Sequence, residues 1–230
     1  MSNAQVARLT GITGVSIGVA SILLIPLYFT YAGPPPASNV LTRNLISIIL
    51  CVMLIVFLSG FSHLIRKADA AYEWIASVVY GAGMTWVAVL LVGVSLEVGA
   101  IFGAPDGTID PTIDGPLARG SMLIHGSIGR ALTVVILTAA GYAIHHARIL
   151  PLWLGKGAYT IALVNLAFIP SLYFGTDAAQ FYSAVGWGNS ALVASLIAYW
   201  MLAVGISLLR RARHVPAGSV IFEPADSPSP

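Results

Sequence analysis

The amino-acid sequence predicts an all-α protein, a six-helix transmembrane bundle with both termini in the cytoplasm. Six long apolar stretches make up most of its 230 residues. Hydrophobic residues form 57% of the chain, charged residues form 9%, and the mean hydropathy is +0.87, whereas soluble domains carry roughly a quarter charged residues. Because one bilayer crossing needs about 20 apolar residues, the chain has room for six crossings, short loops and no second domain.

The first apolar run extends from about Leu9 to Tyr31 and ends at the Gly33-Pro34-Pro35-Pro36 turn, since consecutive prolines supply no amide donors to continue a helix. It exceeds the ~7–15-residue core of a signal peptide, so we expect a retained first helix. The other runs cover residues 45–65, 74–99, 121–144, 152–174 and 185–209. Residues 1–213 are predicted to form the transmembrane domain, and residues 214–230, rich in Pro, Ser and Ala, a flexible cytoplasmic tail.

Basic residues between the apolar runs fall almost entirely on one side of the predicted membrane. The opposite side carries only Arg43 and Arg119. The positive-inside rule therefore places both termini in the cytoplasm and predicts a multi-pass protein of the cell membrane, and the net charge of +2 gives no indication of a nucleic-acid partner. The residues on the basic side are Arg8, Arg66, Lys67, Arg148, Lys156, Arg210, Arg211 and Arg213, of which the last three are expected to contact anionic lipid.

Two charged residues, Glu97 and Arg130, lie deep inside apolar runs, where a charge costs about 2.5–3.5 kcal/mol even on insertion-based scales. Lys156, one turn into the fifth run, is expected to extend to the inner headgroups. Counting about 1.5 Å per residue places Arg130 in the outer half of the fourth helix and Glu97 near the outer end of the third. Because these helices are neighbours in the sequence, a structural Glu97–Arg130 ion pair is the simplest interpretation.

The functional alternative is a polar pocket that opens to the outside and binds an anionic small molecule or lipid headgroup. Arg130 would be the anion clamp because guanidinium groups bind carboxylates and phosphates bidentately. Glu97 would be its counter-charge and His125 a titratable neighbour, and Asp177 and Asn189 would complete the lining.

The sequence contains no complete catalytic motif and predicts no metal site or cofactor. It therefore favours a non-enzymatic protein that binds or transports a small molecule or lipid, or an accessory subunit of a membrane complex. One alternative is a redox protein with a single b-type haem on His63 and either His145 or His146, since a bis-histidine site needs ligands from facing helices. Another is a purely structural subunit.

Small residues and prolines predict how the helices pack. Gly14 and Gly18 form a small-xxx-small face that allows close helix approach, with a homo-oligomeric seam as the alternative. Gly81 with Gly83, and Ala139 with Gly141, predict similar surfaces. Pro26 and Pro170 occur in similar Ile-Pro phrases near the outer ends of the first and fifth helices, where each is expected to kink its helix.

The segment Leu150-Pro151-Leu152-Trp153-Leu154-Gly155 makes a short turn into a new helix. Together with the hydropathy layout, it resembles a broad group of uncharacterised small bacterial multi-pass membrane proteins. The resemblance implies a bacterial inner membrane and carries over no site residues.

Overall fold

The computed structural model describes residues 2–31, 34–103, 110 and 114–213. Within these residues the chain forms α-helices with short 3₁₀ and π segments and no strand. The predicted tail, residues 214–230, lies outside the described residues. The helices are α1 (Asn3–Leu24), α2 (Ala37–Ala68), α3 (Glu73–Gly103), α4 (Gly115–His125), α5 (Ser127–Ala147), α6 (Leu152–Phe168) and α7 (Val193–Arg213).

Six helical segments of the described chain are long and apolar enough to cross a membrane, which confirms the predicted all-α, six-helix fold and is consistent with a multi-pass membrane protein. The fourth segment consists of α4 and α5, which meet at Gly126. The sixth begins with a π segment, Gly188–Leu192, that continues into α7. The side to which the termini face stays a prediction.

The spans follow one another around the bundle in chain order. Helix α1 packs against α2, α2 against α3, and α3 against both α4 and α5; α5 then packs against α6, α6 against α7, and α7 against α1. Successive spans run in opposite directions, so the termini of the described chain share one end of the bundle, which we call the arginine-rich end. The other is called the opposite end.

The α1–α7 interface is built on the small residues predicted for close packing. A Cβ added to Gly14 would lie 3.1 Å from Gly205 Cα, and one added to Gly18 would lie 2.7 Å from Leu202 Cβ. Gly83 and Gly141 face Leu58 and Gly155 in the same way. The predicted small-residue faces therefore serve contacts within the chain, except at Gly81, where a Cβ would meet nothing within 4 Å.

Pro26 and Pro170 each lie where an α-helix gives way to a 3₁₀ segment. Helix α1 ends at Leu24 and continues as a 3₁₀ segment, Ile25–Tyr28, while α6 ends at Phe168 and continues as Ile169–Phe174. Pro170 has no N–H to offer the Ala167 carbonyl, and the Tyr182 hydroxyl donates to that carbonyl instead. This contact ties the segment that follows α6 to the end of that helix.

Helix α2 begins eight residues earlier than the apolar run that predicted it. The sequence placed Arg43 in a loop because the hydrophobic run starts at Leu45, but Pro36 is the N-cap and the helix runs from Ala37. Arg43 is therefore a residue of the second turn and is buried inside the bundle. This correction changes the partner of Glu97.

Candidate functional site

Glu97 is bound by two residues of one helix. Arg43 Nη2 donates to Glu97 Oε1 at 2.9 Å, and Asn44 Nδ2 donates to Glu97 Oε2 at 2.9 Å. The side chains of Arg43 and Glu97 are 3% and 10% exposed, so this is a buried ion pair between α2 and α3. Both carboxylate oxygens of Glu97 accept a hydrogen bond, and the Arg43 guanidinium neutralises the buried negative charge.

The Arg43 guanidinium is also covered by an aromatic ring. Its Cζ lies 4.1 Å from the centre of the Tyr28 ring, in the range of a cation–π interaction. Tyr28 is in the 3₁₀ segment after α1, so the pair joins three consecutive spans. Arg43 Nε is buried and has no hydrogen-bond partner.

The expected Glu97–Arg130 ion pair is wrong, and helix register gives the reason. Gly93 of α3 faces His125, and Gly129 of α5 faces Trp86 of α3, so these antiparallel segments place Arg130 nearly level with Trp86. Trp86 precedes Glu97 by eleven residues, which is about 16 Å along a helix. An Arg side chain does not span that offset, and Arg43 is at the depth of Glu97.

Arg130 instead binds Asn189, one of the residues predicted to line the polar pocket. Arg130 Nε donates to Asn189 Oδ1 at 2.9 Å, and Nη2 donates to the Asn189 backbone carbonyl. Arg130 is 4% exposed and Asn189 is fully buried. Among the described residues, no carboxylate lies within ion-pair distance of Arg130, so the buried guanidinium is held by neutral groups alone.

The π segment explains why the Asn189 carbonyl is free to accept from Arg130. In an α-helix that carbonyl would bond the Val193 amide, but the Val193 amide donates to Gly188 O instead. The Asn189 side chain is fixed in turn, because Nδ2 donates to Ser171 Oγ at 3.1 Å and to Ala184 O at 2.8 Å. π turns inside helices are frequently found at functional sites.

Ser127 adds an unused polar group beside Arg130. It lies three residues earlier on α5, and residues spaced by three share a helix face. Ser127 is fully buried, and its hydroxyl has no hydrogen-bond partner. A buried hydroxyl without a partner costs free energy, so the site contains a donor that a bound anion would satisfy.

Along the bundle axis, His125 lies between Arg43 and Arg130. Its Nδ1 is 2.9 Å from the Ser121 carbonyl, and Ser121 Oγ donates to the Gly93 carbonyl at 2.9 Å. The imidazole fills the space that a side chain at position 93 would need. It is close enough to interact electrostatically with both Glu97 and Arg130. The structure thus brings His125, Arg130 and Asn189 into one polar region of the bundle interior.

Asp177, like Glu97, is a predicted site residue that the structure places away from Arg130. Its carboxylate accepts from the Ala179 amide at 2.9 Å, and its carbonyl accepts from Ser183 Oγ. Asp177 is exposed and stabilises the turn of the connection between α6 and the π segment. It therefore positions the loop that carries Ala184 and does not line the Arg130 site.

The three histidines of the haem alternative make contacts of their own at the arginine-rich end. A ring nitrogen of His63 is 3.4 Å from Asn3 Oδ1 of α1. The rings of His145 and His146 contact each other, and His146 also contacts the Tyr142 ring. The haem alternative stays a prediction.

Sequence reasoning missed the residues that complete both sites, namely Tyr28, Arg43, Asn44, Ser127 and Ser171. One signal could have identified Arg43. No helix-breaking residue separates Pro36 from Leu45, and Pro36 is a natural boundary for a helix that starts at Ala37. No comparable signal marks Ser127, because its importance depends on having no partner in three dimensions.

No protein-family model matches the chain, and no curated protein or solved structure shows significant similarity to it.

Proposed function

We propose that the protein binds a small anionic molecule inside its membrane domain, with Arg130 as the anion clamp, and that this binding serves transport across a bacterial cell membrane. The supporting observation is a buried cation without a buried anion. Arg130 is held by an amide oxygen and a backbone carbonyl, while the one carboxylate of the bundle interior in the described chain, Glu97, is neutralised by Arg43.

The energetics of burial favour a ligand at this position. Removing a charge from water costs several kcal/mol, which a partner of opposite charge offsets. Neutral dipoles satisfy the hydrogen-bonding geometry of Arg130 but leave its net charge uncompensated. A carboxylate or phosphate would supply the missing charge, and the fork of guanidinium donors matches both groups.

The neighbours of Arg130 form the rest of an anion site. Ser127 provides a hydroxyl that has no other partner. Asn189 holds the guanidinium in one orientation through two hydrogen bonds and is itself fixed by Ser171 and Ala184. The side chain that binds the ligand is therefore preorganised, which reduces the entropy lost on binding.

Thermal unfolding of the purified protein in detergent tests this proposal. Sodium acetate and sodium phosphate are titrated against sodium chloride at equal ionic strength, since a ligand that binds only the folded state raises Tm. We expect one of the two anions to raise the Tm of the wild type above its chloride control. Arg130→Gln should abolish the shift, and Arg130→Lys should weaken it because an ammonium group lacks the planar fork.

Arg119→Gln is the matched control, because Arg119 is an exposed arginine of the same span and the change in net charge is the same. Its response should equal that of the wild type. Ser127→Ala is a second variant that removes only the unpartnered hydroxyl, so it should fold normally and respond less. The proposal is wrong if neither anion shifts the wild type, or if Arg130→Gln responds as strongly as the wild type.

A further inference from the structure

A groove between the first and last helices changes from polar to apolar along the helix axes. It has a volume of about 370 Å³ and is lined by Arg8, Ile12, Leu209, Ala212 and Arg213. Pockets of about 300–1,000 Å³ hold small-molecule ligands. The groove lies at the arginine-rich end and is separate from the Arg130 site.

The two walls repeat the same order of residues. On α1, Arg8 is nearest the helix end, and Ile12 lies one turn deeper on the same face. On α7, Arg213 is nearest the end, and Leu209 lies one turn deeper. Four residues span about 6 Å along a helix, so the groove has two cations at the helix ends and two apolar side chains about 6 Å deeper, the order in which a lipid carries its headgroup and acyl chains.

Helices α1 and α7 touch directly beside the groove. A Cβ added to Gly11 would lie 2.8 Å from Leu209 Cγ and 3.0 Å from the Gly205 carbonyl. This contact fixes the separation of the two helices at Leu209, which lines the groove. The groove is therefore part of the helix packing and does not depend on a loop.

Arg8 and Arg213 are exposed, and neither has an ion-pair partner among the described residues. Arg211 differs, because its guanidinium donates to the carbonyls of Arg148 and Ile149 and so ties α7 to the turn before α6. Of these three arginines, Arg8 and Arg213 are the ones whose charges remain available to a ligand.

The geometry points to a binding site for one anionic phospholipid in this groove, with its phosphate between Arg8 and Arg213 and its acyl chains along Ile12 and Leu209. Charge complementarity selects an anionic headgroup, since each basic residue near a membrane surface strengthens binding to anionic lipid about fivefold. The apolar half of the groove selects a lipid over a free anion, which would leave Ile12 and Leu209 without contacts.

Native mass spectrometry of the full chain in detergent tests the site, with phosphatidylglycerol and phosphatidylcholine as the two probes. We expect one phosphatidylglycerol to bind more tightly than any phosphatidylcholine. The double variant Arg8→Gln/Arg213→Gln should weaken its binding about 25-fold, from roughly fivefold per arginine. Arg66→Gln/Lys67→Gln removes the same charge from exposed positions at the same end of the bundle and should bind as the wild type does.

Four further measurements identify the occupant. Ile12→Ser should weaken lipid binding, and 10-fold excess inorganic phosphate should not displace the lipid; displacement would mean that the groove binds free phosphate. Lipid binding that appears only after deletion of residues 214–230 would assign the groove to that segment. A dimer that Arg8→Gln/Arg213→Gln dissociates, with lipid binding unchanged, would assign it to a second copy. Each of these three results, or equal loss of lipid in the Arg66 and Lys67 control, overturns the lipid site.

Discussion

Glu97 accepts a hydrogen bond from Arg43 across the α2–α3 interface, with 2.9 Å between Oε1 and Nη2. Arg130, the other arginine buried in the described interior, donates only to Asn189. The two cations therefore differ in kind, because one is neutralised by the protein and the other is not. This difference predicts a structural role for Arg43 and supports the proposed binding role of Arg130, and it can be tested at each residue.

Removing the carboxylate of the buried pair should destabilise the fold strongly. Glu97→Ala leaves Arg43 buried without a counter-charge, and breaking a buried pair from one side costs about 3–5 kcal/mol. Replacing both residues by apolar ones, as in Arg43→Met/Glu97→Leu, leaves no buried charge at this interface and should cost less than Glu97→Ala alone. Chemical unfolding in detergent, followed by tryptophan fluorescence, measures both free energies.

Glu73→Ala is the matched control for this comparison, since Glu73 is an exposed glutamate at the start of the same helix. Its free energy of unfolding should stay within about 0.5 kcal/mol of the wild type. A double variant that is less stable than Glu97→Ala would contradict the structural role of the pair.

Gly93 should be intolerant of a side chain because His125 occupies the space. A Cβ at position 93 would lie 2.3 Å from His125 Cε1, so Gly93→Ala forces the imidazole away from the Ser121 carbonyl. We expect a loss of about 1–3 kcal/mol, typical of overpacking. Removing the ring in Gly93→Ala/His125→Ala should make the alanine at 93 less costly than it is in the presence of the ring.

Gly81→Ala in the same helix is the control, since a Cβ there meets nothing within 4 Å. It should be neutral or stabilising by up to about 1 kcal/mol, because alanine is the better helix former. Equal losses in Gly81→Ala and Gly93→Ala, measured by thermal unfolding, would disprove the assigned contact between Gly93 and His125.

The α1–α7 seam should be more sensitive than the His125 contact, because its obstacles are backbone atoms. A Cβ at Gly205 would lie 2.4 Å from Val15 N and 2.8 Å from Gly14 C, and only a shift of one helix against the other would relieve these contacts. Gly205→Ala should therefore lower Tm by more than Gly93→Ala does. Gly99→Ala, where a Cβ meets nothing within 4 Å, should leave Tm unchanged. If Gly205→Ala and Gly99→Ala lowered Tm by similar amounts, the close packing assigned to the α1–α7 seam would be contradicted.

Hydropathy and charge bias predicted the number and type of elements because each span must satisfy its own backbone in lipid. They did not predict the partners of Glu97, since pairing depends on helix register and on which face of each helix turns inward. Arg43 was assigned to a loop because polar residues in the first two turns of α2 shorten its apolar run. The π turn at Asn189 has no hydropathy signal, so the contact that holds Arg130 is visible only in three dimensions.

The predicted orientation of the termini can be tested by cysteine labelling, because Cys51 is the only cysteine and is buried. In a Cys51→Ser background, Ser2→Cys probes the arginine-rich end and Thr176→Cys probes the opposite end. If the arginine-rich end is cytoplasmic, as the positive-inside rule predicts, a membrane-impermeant maleimide should label position 176 in intact cells. It should label position 2 only after permeabilisation, and the reverse pattern would invert the topology.

Asn189→Asp neutralises the charge of Arg130 while leaving the arginine side chain in place. The new carboxylate at position 189 would lie 2.9 Å from Arg130 Nε, in place of the amide oxygen, and would neutralise the guanidinium inside the protein. The ion pair is gained, but the hydrogen bond from Nδ2 to the Ala184 carbonyl is lost, so the two effects on stability oppose each other. The response of Tm to acetate or phosphate should disappear, because the site no longer carries net positive charge.

Asn39→Asp is the matched control, since it makes the same change at the opposite end of the bundle, in the first turn of α2. It should keep the wild-type response to the anions. If Asn189→Asp also kept that response, the uncompensated charge of Arg130 would have no part in binding, and the anion site would have to lie elsewhere. A loss confined to Asn189→Asp would locate the anion at the guanidinium that Asn189 holds.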